Sequence, residues 1–120
     1  MNKGYWYLGS PYSKHPDGLE TAFVDICKVA AQFAVDGIPA YSPIAHTHPI
    51  AMIGEVDPHD HSIWLPFDGP LMTAARGLVV VMMPSWQDSF GLQHEIEYFK
   101  SVGKPILYMD PDEIDLRPFR

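Results

Sequence analysis

Basic charge, cysteine and long apolar runs are all scarce in this chain. Lys and Arg number 8 against 15 Asp and Glu, for a formal net charge of −7, so no basic stripe exists to grip a nucleic-acid backbone. A small phosphate can still be held, because backbone N–H dipoles act locally whatever the net charge. Cys27 is the single cysteine, which excludes an intrachain disulfide. It falls on the apolar face of a predicted helix, as a small core side chain would. The longest apolar run, Leu78–Met83, is far too short to span a bilayer. The N-terminus MNKGYWYLGSPYS has no apolar stretch of secretory length. A soluble cytoplasmic protein with neither a membrane nor a nucleic-acid partner is expected. Two phosphate signatures are missing as well, since neither GxxxxGK[ST] nor GxGxxG occurs.

What remains is globular. With 120 residues, 47% apolar and 19% charged, the chain has the composition for one core, hence one domain over residues 1–120. Tyr5–Gly9 reads as a buried strand ending at Gly-Ser-Pro. Leu19, Phe23, Ile26, Ala30 and Phe33 recur at helical spacing, in a helix from near Asp17 to a stop at Gly37. Pro39–Ile44 is a second strand candidate, weakened by its prolines. Leu78–Met83, with continuous valine, predicts a strand buried on both faces. Leu92, Ile96 and Phe99 mark a helix ended by Gly103, and Pro105–Met109 is a fourth strand. The order predicts a doubly wound α/β fold, with a mostly parallel sheet of four to five strands and helices on both faces. Ala45–Pro70 breaks this rhythm. It holds four of the six histidines and reads as a long, ordered, functional loop, followed by a short helix from about Asp68 to Arg76.

In such sheets ligands bind beyond the C-terminal strand ends. There the segments Gly9–His15, Ser42–His48 and Pro84–Gly91 should meet. Glu95 sits in the first turns of its helix, just past Ser89 and Gly91. A carboxylate beside a helix start that suits phosphate is electrostatically costly, although acidic residues also complement the dipole there. With Asp68 it makes a pair of the kind that cuts glycosidic bonds. Asp68 followed by Gly-Pro fits equally an N-cap with proline in the first turn. Ser10, Tyr12 and Ser13 offer hydroxyls after the first strand. Trp64, with Tyr12, Phe67 and Trp86, offers rings for a flat base. His46, His48, His59 and His61 could ligate a metal or simply populate a loop.

The residues Tyr7-Leu8-Gly9-Ser10-Pro11-Tyr12-Ser13, Ser42-Pro43-Ile44, Trp64 with Asp68, Pro84-Ser85-Trp86, Ser89-Phe90-Gly91 with Glu95, and Gly103-Lys104-Pro105 together resemble the nucleoside 2-deoxyribosyltransferase-like superfamily. The likeness runs along nearly the whole chain and is nearest to a small bacterial and phage branch, itself similar to the nucleoside 5′-monophosphate N-glycosidases. It implies Glu95 as the nucleophile that forms a glycosyl–enzyme intermediate and Asp68 as proton donor to the leaving base. Transferases acting on free nucleosides carry Asp six residues before the glutamate, whereas the monophosphate hydrolases carry Ser, here Ser89. Ser10, Tyr12, Ser13 and Gly91 would complete the sugar and phosphate pocket, with Trp64 and His46 also on the substrate. The resemblance implies no metal, no cofactor and a homodimer or larger assembly. Base exchange between nucleosides and a non-catalytic nucleotide-binding module are the alternative functions. His94, where relatives carry an apolar residue, and the histidine-rich segment depart from the pattern.

Overall fold

The computed structural model describes residues 3–120. Its elements are β1 (Trp6–Gly9), α1 (Leu19–Val35), β2 (Ala40–Tyr41), α2 (Pro43–Ile53), α3 (His61–Ala74), β3 (Gly77–Val81), α4 (Phe90–Ser101) and β4 (Ile106–Met109). All strands are parallel, in the order β2-β1-β3-β4. Strand residues alternate between two cores. Trp6, Leu8, Val79 and Val81 pack with Ile26, Val29 and Phe33 of α1. Tyr7, Leu78 and Val80 pack on the other face with Met72 of α3 and Leu92, Ile96 and Phe99 of α4. This is the doubly wound α/β arrangement expected from the sequence. Because β1 lies beside β3 while α1 and α4 cover opposite faces, the segments leaving these two strands diverge. The crevice between them is where doubly wound sheets bind ligands.

Both predicted helix stops hold, with Gly37 and Gly103 at φ of 74° and 70°, a region that glycine enters without a Cβ clash. On α1 the buried stripe is Ala22, Ile26, Val29 and Phe33, rotated slightly from the predicted one, so Leu19, Phe23 and Ala30 are only half-buried. Cys27 is half-buried too, at the margin of the core and not inside it. β4 is a sheet edge with Tyr108 half exposed.

The region 39–74 differs most from expectation. Only Ala40 and Tyr41 form strand. Ser42 then caps α2, its Oγ accepting from the Ala45 N–H at 3.1 Å, and Pro43 supplies the first helical residue with its φ preset. The long loop is therefore mostly two helices. α3 starts at His61, capped by Asp60, whose carboxylate accepts from the Ser62 N–H at 3.0 Å. Asp68 is thus mid-helix and caps nothing. Pro66 and Pro70 lie inside α3, and each removes an N–H donor from the ladder. Of α3 only Met72 is fully buried. Its C-terminal half is held from outside: the Tyr5 hydroxyl donates to the Leu71 carbonyl, and the Lys104 ammonium donates to the carbonyls of Thr73 and Ala75, both at 2.6 Å. A cation at a helix C-terminus satisfies carbonyls that have no intrahelical partner.

Candidate active site

One cavity of about 320 Å³ opens at the C-terminal ends of β1 and β3, within the size range of small-molecule sites. Its floor is made by the start of α4. Ser89 is buried and caps that helix, its Oγ accepting from the Leu92 N–H at 3.3 Å. The hydroxyl proton stays available to a ligand. The Phe90 and Gly91 N–H groups head the helix, where no intrahelical acceptor exists. A Cβ built on Gly91 would meet no atom within 4 Å, so a ligand can approach the backbone there.

Glu95 lies one turn further along α4 and lines the same cavity. Its Oε1 sits 2.9 Å from where a Cβ on Gly9 would be. The carboxylate therefore occupies the space that the missing side chain of Gly9 leaves at the end of β1. Glu95 is enclosed by protein atoms on most sides, yet the cavity keeps it partly exposed. Burial pushes its pKa well above the ordinary range, repulsion from Asp68 adds to this, and the Tyr7 hydroxyl opposes it. The Tyr7 phenol is fully buried beside Glu95 but makes no bond of good geometry. Burial first, then the charges of Glu95 and Asp68, raise its own pKa.

Asp68 faces Glu95 from α3. Burial raises its pKa to about 6, opposed by the nearby Tyr41 hydroxyl. Its Oδ1 is buried and unpartnered. Two carboxyls in one poorly solvated cavity cannot both ionise cheaply, so the pair holds a proton between them over a wide pH range.

Among the other predicted residues, Ser10, Tyr12, Ser13 and Trp64 all line this cavity. Ser10 is 5% exposed and its hydroxyl has no partner, a donor waiting for an acceptor. The Ser13 hydroxyl shares a hydrogen bond of 2.8 Å with His59 Nδ1. The Trp64 indole N–H donates to the Asp57 carbonyl at 2.8 Å, leaving the ring half-buried at the wall. His46 is the exception. It is exposed, bonded to the Tyr41 hydroxyl at 3.0 Å and stacked on Phe67, outside the cavity. Helical periodicity explains this, because in α2 the residues 46 and 48 point to different sides and His48 is the one turned inward.

Sequence reasoning missed Tyr7 and Tyr41, the phenols that face the two carboxyls. It placed Lys14 only within the segment Gly9–His15, and His59 and His61 only as possible metal ligands; all three line the cavity. The four histidines of the 46–61 region have four different partners, and among the described residues no group of three or more His, Cys, Asp or Glu is arranged to hold a metal ion. No helix among them is long and apolar enough to cross a membrane.

The family model described as "Domain of unknown function (DUF1937)" matches residues 4–111. The chain belongs to that family. A comparison with curated proteins gave no match.

Proposed function

We propose that this DUF1937 member is an N-glycosidase that hydrolyses the base–sugar bond of a nucleoside or deoxynucleoside 5′-monophosphate. The observation that carries the reading is a single cavity in which Glu95 shares space with Ser10, Tyr12, Ser13 and the helix start at Ser89–Gly91. The resemblance to the nucleoside 2-deoxyribosyltransferase-like superfamily assigns the roles, and the physical chemistry of the cavity suits them. A phosphate would receive the Ser89 proton and the Phe90 and Gly91 N–H groups, with Lys14 at the wall as a countercharge. The Glu95 carboxylate would attack C1′ while the C1′–N bond breaks. The bonding pair leaves with the base, which takes the proton of Asp68. Water, deprotonated by Asp68, would then attack C1′, releasing the sugar 5-phosphate and restoring the Glu95 carboxylate.

This path needs the shared proton on Asp68 and the charge on Glu95. Burial by itself favours the reverse, since Glu95 is the more deeply enclosed. The oxocarbenium-like transition state supplies what is missing: positive charge developing at C1′ beside Glu95 favours its anion. Assembly into a homodimer or larger oligomer belongs to the same proposal. Phe67 and Phe90, 46% and 58% exposed, stand beside the cavity as apolar surface to be covered, and sedimentation would report it.

The test is a panel of ribo- and deoxyribonucleoside 5′-monophosphates incubated with the protein, followed by chromatography for free base. Base release that disappears with Glu95→Gln supports the reading. Folded protein that releases base from none of them overturns it, and transfer of the sugar to an added free base would make the enzyme a transferase instead.

A further inference from the structure

The side of the cavity formed by Tyr12 is connected to the protein surface by two short hydrogen bonds. The Tyr12 hydroxyl lies 2.6 Å from His48 Nδ1, and His48 Nε2 lies 2.8 Å from Glu20 Oε2. His48 is 3% exposed. Its ring is stacked on Phe23 with centroids 4.6 Å apart and set edge-on to Tyr12, so it cannot turn. Glu20 is 75% exposed at its side chain. The glycosidase chemistry above makes no use of His48 or Glu20. We propose that Glu20, His48 and Tyr12 form a proton-coupled switch that sets the cavity's preference for phosphorylated sugars: when His48 takes a second proton, the Tyr12 hydroxyl changes from acceptor to donor.

The switch follows from donor and acceptor counting. A carboxylate only accepts, so His48 Nε2 must carry a hydrogen toward Glu20. In the neutral ring Nδ1 is then an acceptor, and Tyr12 must spend its only proton on it. The phenol oxygen shows the cavity lone pairs, which suit a sugar hydroxyl and repel a phosphate oxygen. When the ring gains a proton, Nδ1–H donates to the Tyr12 oxygen, and the phenolic O–H is released to point into the cavity. The proton reaches Nδ1 from the cavity side: the Tyr12 hydroxyl passes its own proton to Nδ1 and takes another from solvent or from the phosphate in the cavity, and no covalent bond to carbon changes. A phosphate at Tyr12 and a proton on His48 therefore strengthen each other's binding, and the coupling is reciprocal.

The titratable groups facing His48 are Glu20 from α1 and Tyr12 from the segment after β1. His46, on its own helix, points away toward Tyr41. Glu20 accepts from Nε2 in either protonation state of the ring. Tyr12 does not ionise in the working range, because burial and the Glu20 charge push it up to about 12. It can only redirect its proton.

The inference rests on the cavity being a sugar-phosphate site, and its test separates the two. Ribose 5-phosphate, 2-deoxyribose 5-phosphate and ribose are titrated into the wild-type chain, Tyr12→Phe and Glu20→Gln by calorimetry. The range runs from about pH 5.5 to about pH 8, where histidine titrates, in buffers of differing ionisation enthalpy. The sugar phosphate itself, Asp68 and Glu95 contribute equally to wild type and Tyr12→Phe, so the difference in proton uptake isolates the switch. Wild type should take up more protons than Tyr12→Phe on binding a sugar phosphate and no more on binding ribose. At the acidic end Tyr12→Phe should bind the sugar phosphates about tenfold more weakly, the size of one charge-assisted hydrogen bond. Glu20→Gln, a surface change that leaves the core intact, keeps an acceptor for Nε2 but removes the negative charge beside it, and should diminish the extra proton uptake. Equal proton uptake in wild type and Tyr12→Phe, or undiminished extra uptake in Glu20→Gln, overturns the switch and leaves the site reading standing. Absence of sugar-phosphate binding to folded wild type at every pH overturns both.

Discussion

Gly9→Ala adds one methyl group where the structure has no room for it. The backbone of Gly9 lies in a region open to alanine, so the strain is purely steric. A Cβ there would stand 2.7 Å from Leu92 Cδ1, 2.9 Å from Glu95 Oε1 and 3.1 Å from Leu78 Cδ1. Gly9 cannot withdraw, because its strand is paired with β3 opposite Val80. The two leucines are 1% and 0% exposed and have nowhere to swing. Glu95 borders a cavity and can move. To regain an ordinary contact of 3.4 Å from 2.9 Å, its oxygen must retreat by 0.5 Å. Overpacking of this size costs about 1–3 kcal/mol, which for 120 residues lowers Tm by roughly 3–12 °C. A catalytic group displaced by 1 Å can lose about 100-fold in rate, so half that displacement is expected to cost roughly tenfold in kcat. Thermal melts followed by circular dichroism read the first quantity. Turnover of whichever monophosphate the panel identifies reads the second. An alanine variant with the Tm and kcat of wild type would refute the placement of Glu95 against β1. A lowered Tm with unchanged kcat would show that the leucines give way and the carboxylate stays.

Three further outcomes follow from the same geometry. Asp68 is raised from 3.8 to about 6, so between those pH values the folded chain keeps a proton that the unfolded chain has lost. Stability therefore falls as pH rises through this window. Asp68→Asn should restore about 1–2 kcal/mol near neutral pH, after allowance for its partial exposure, and nothing below about pH 4, while abolishing turnover; melts on both sides of the window check the sign. Tyr7→Phe removes the hydroxyl that favours ionised Glu95. The acid limb of the kcat/KM profile should move to higher pH, with little change in Tm because that hydroxyl makes no good bond in the fold. Ser89→Asp keeps a residue able to cap α4 but sets a negative charge at the helix start. Monophosphate affinity should drop at least about tenfold while the unphosphorylated nucleoside is unaffected, and calorimetry with the two ligands would show a failure of either half.

β1, α1, β3 and α4 were legible because each repeats one pattern: alternation or continuous valine in the strands, and spacings of three and four in the helices. The 39–74 region was not, because prolines at 43, 49, 66 and 70 read as loop. Two of the signals that decide it were nevertheless present, Ser42-Pro43 as a cap followed by a preset first residue, and Asp60 as the cap of α3. Glu95 could be located from its distance past Ser89. Asp68 could not be separated from a cap by local sequence, since Asp-Gly-Pro fits one whether or not a helix is already under way. The phenols of Tyr7 and Tyr41 were hidden for a different reason. An aromatic in a strand looks like core from its neighbours alone, and only the assembled structure brings Tyr7 to the cavity wall and Tyr41 beside Asp68. His46 was misplaced because reading its segment as loop discards the helical phase that separates it from His48.

α3 is pinned at one end and loose at the other. Lys104 and Tyr5 fasten its last turns, while the turns from His61 to Phe67 bury no side chain completely and are followed by a ladder missing the donors of Pro66 and Pro70. Peeling that free end away exposes little apolar surface and leaves the sheet untouched, so opening of this wall is energetically separate from global unfolding. Amide exchange should run fastest along that stretch and slow when a ligand fills the space beneath it, which would make departure of product a matter of how readily one short helix frays.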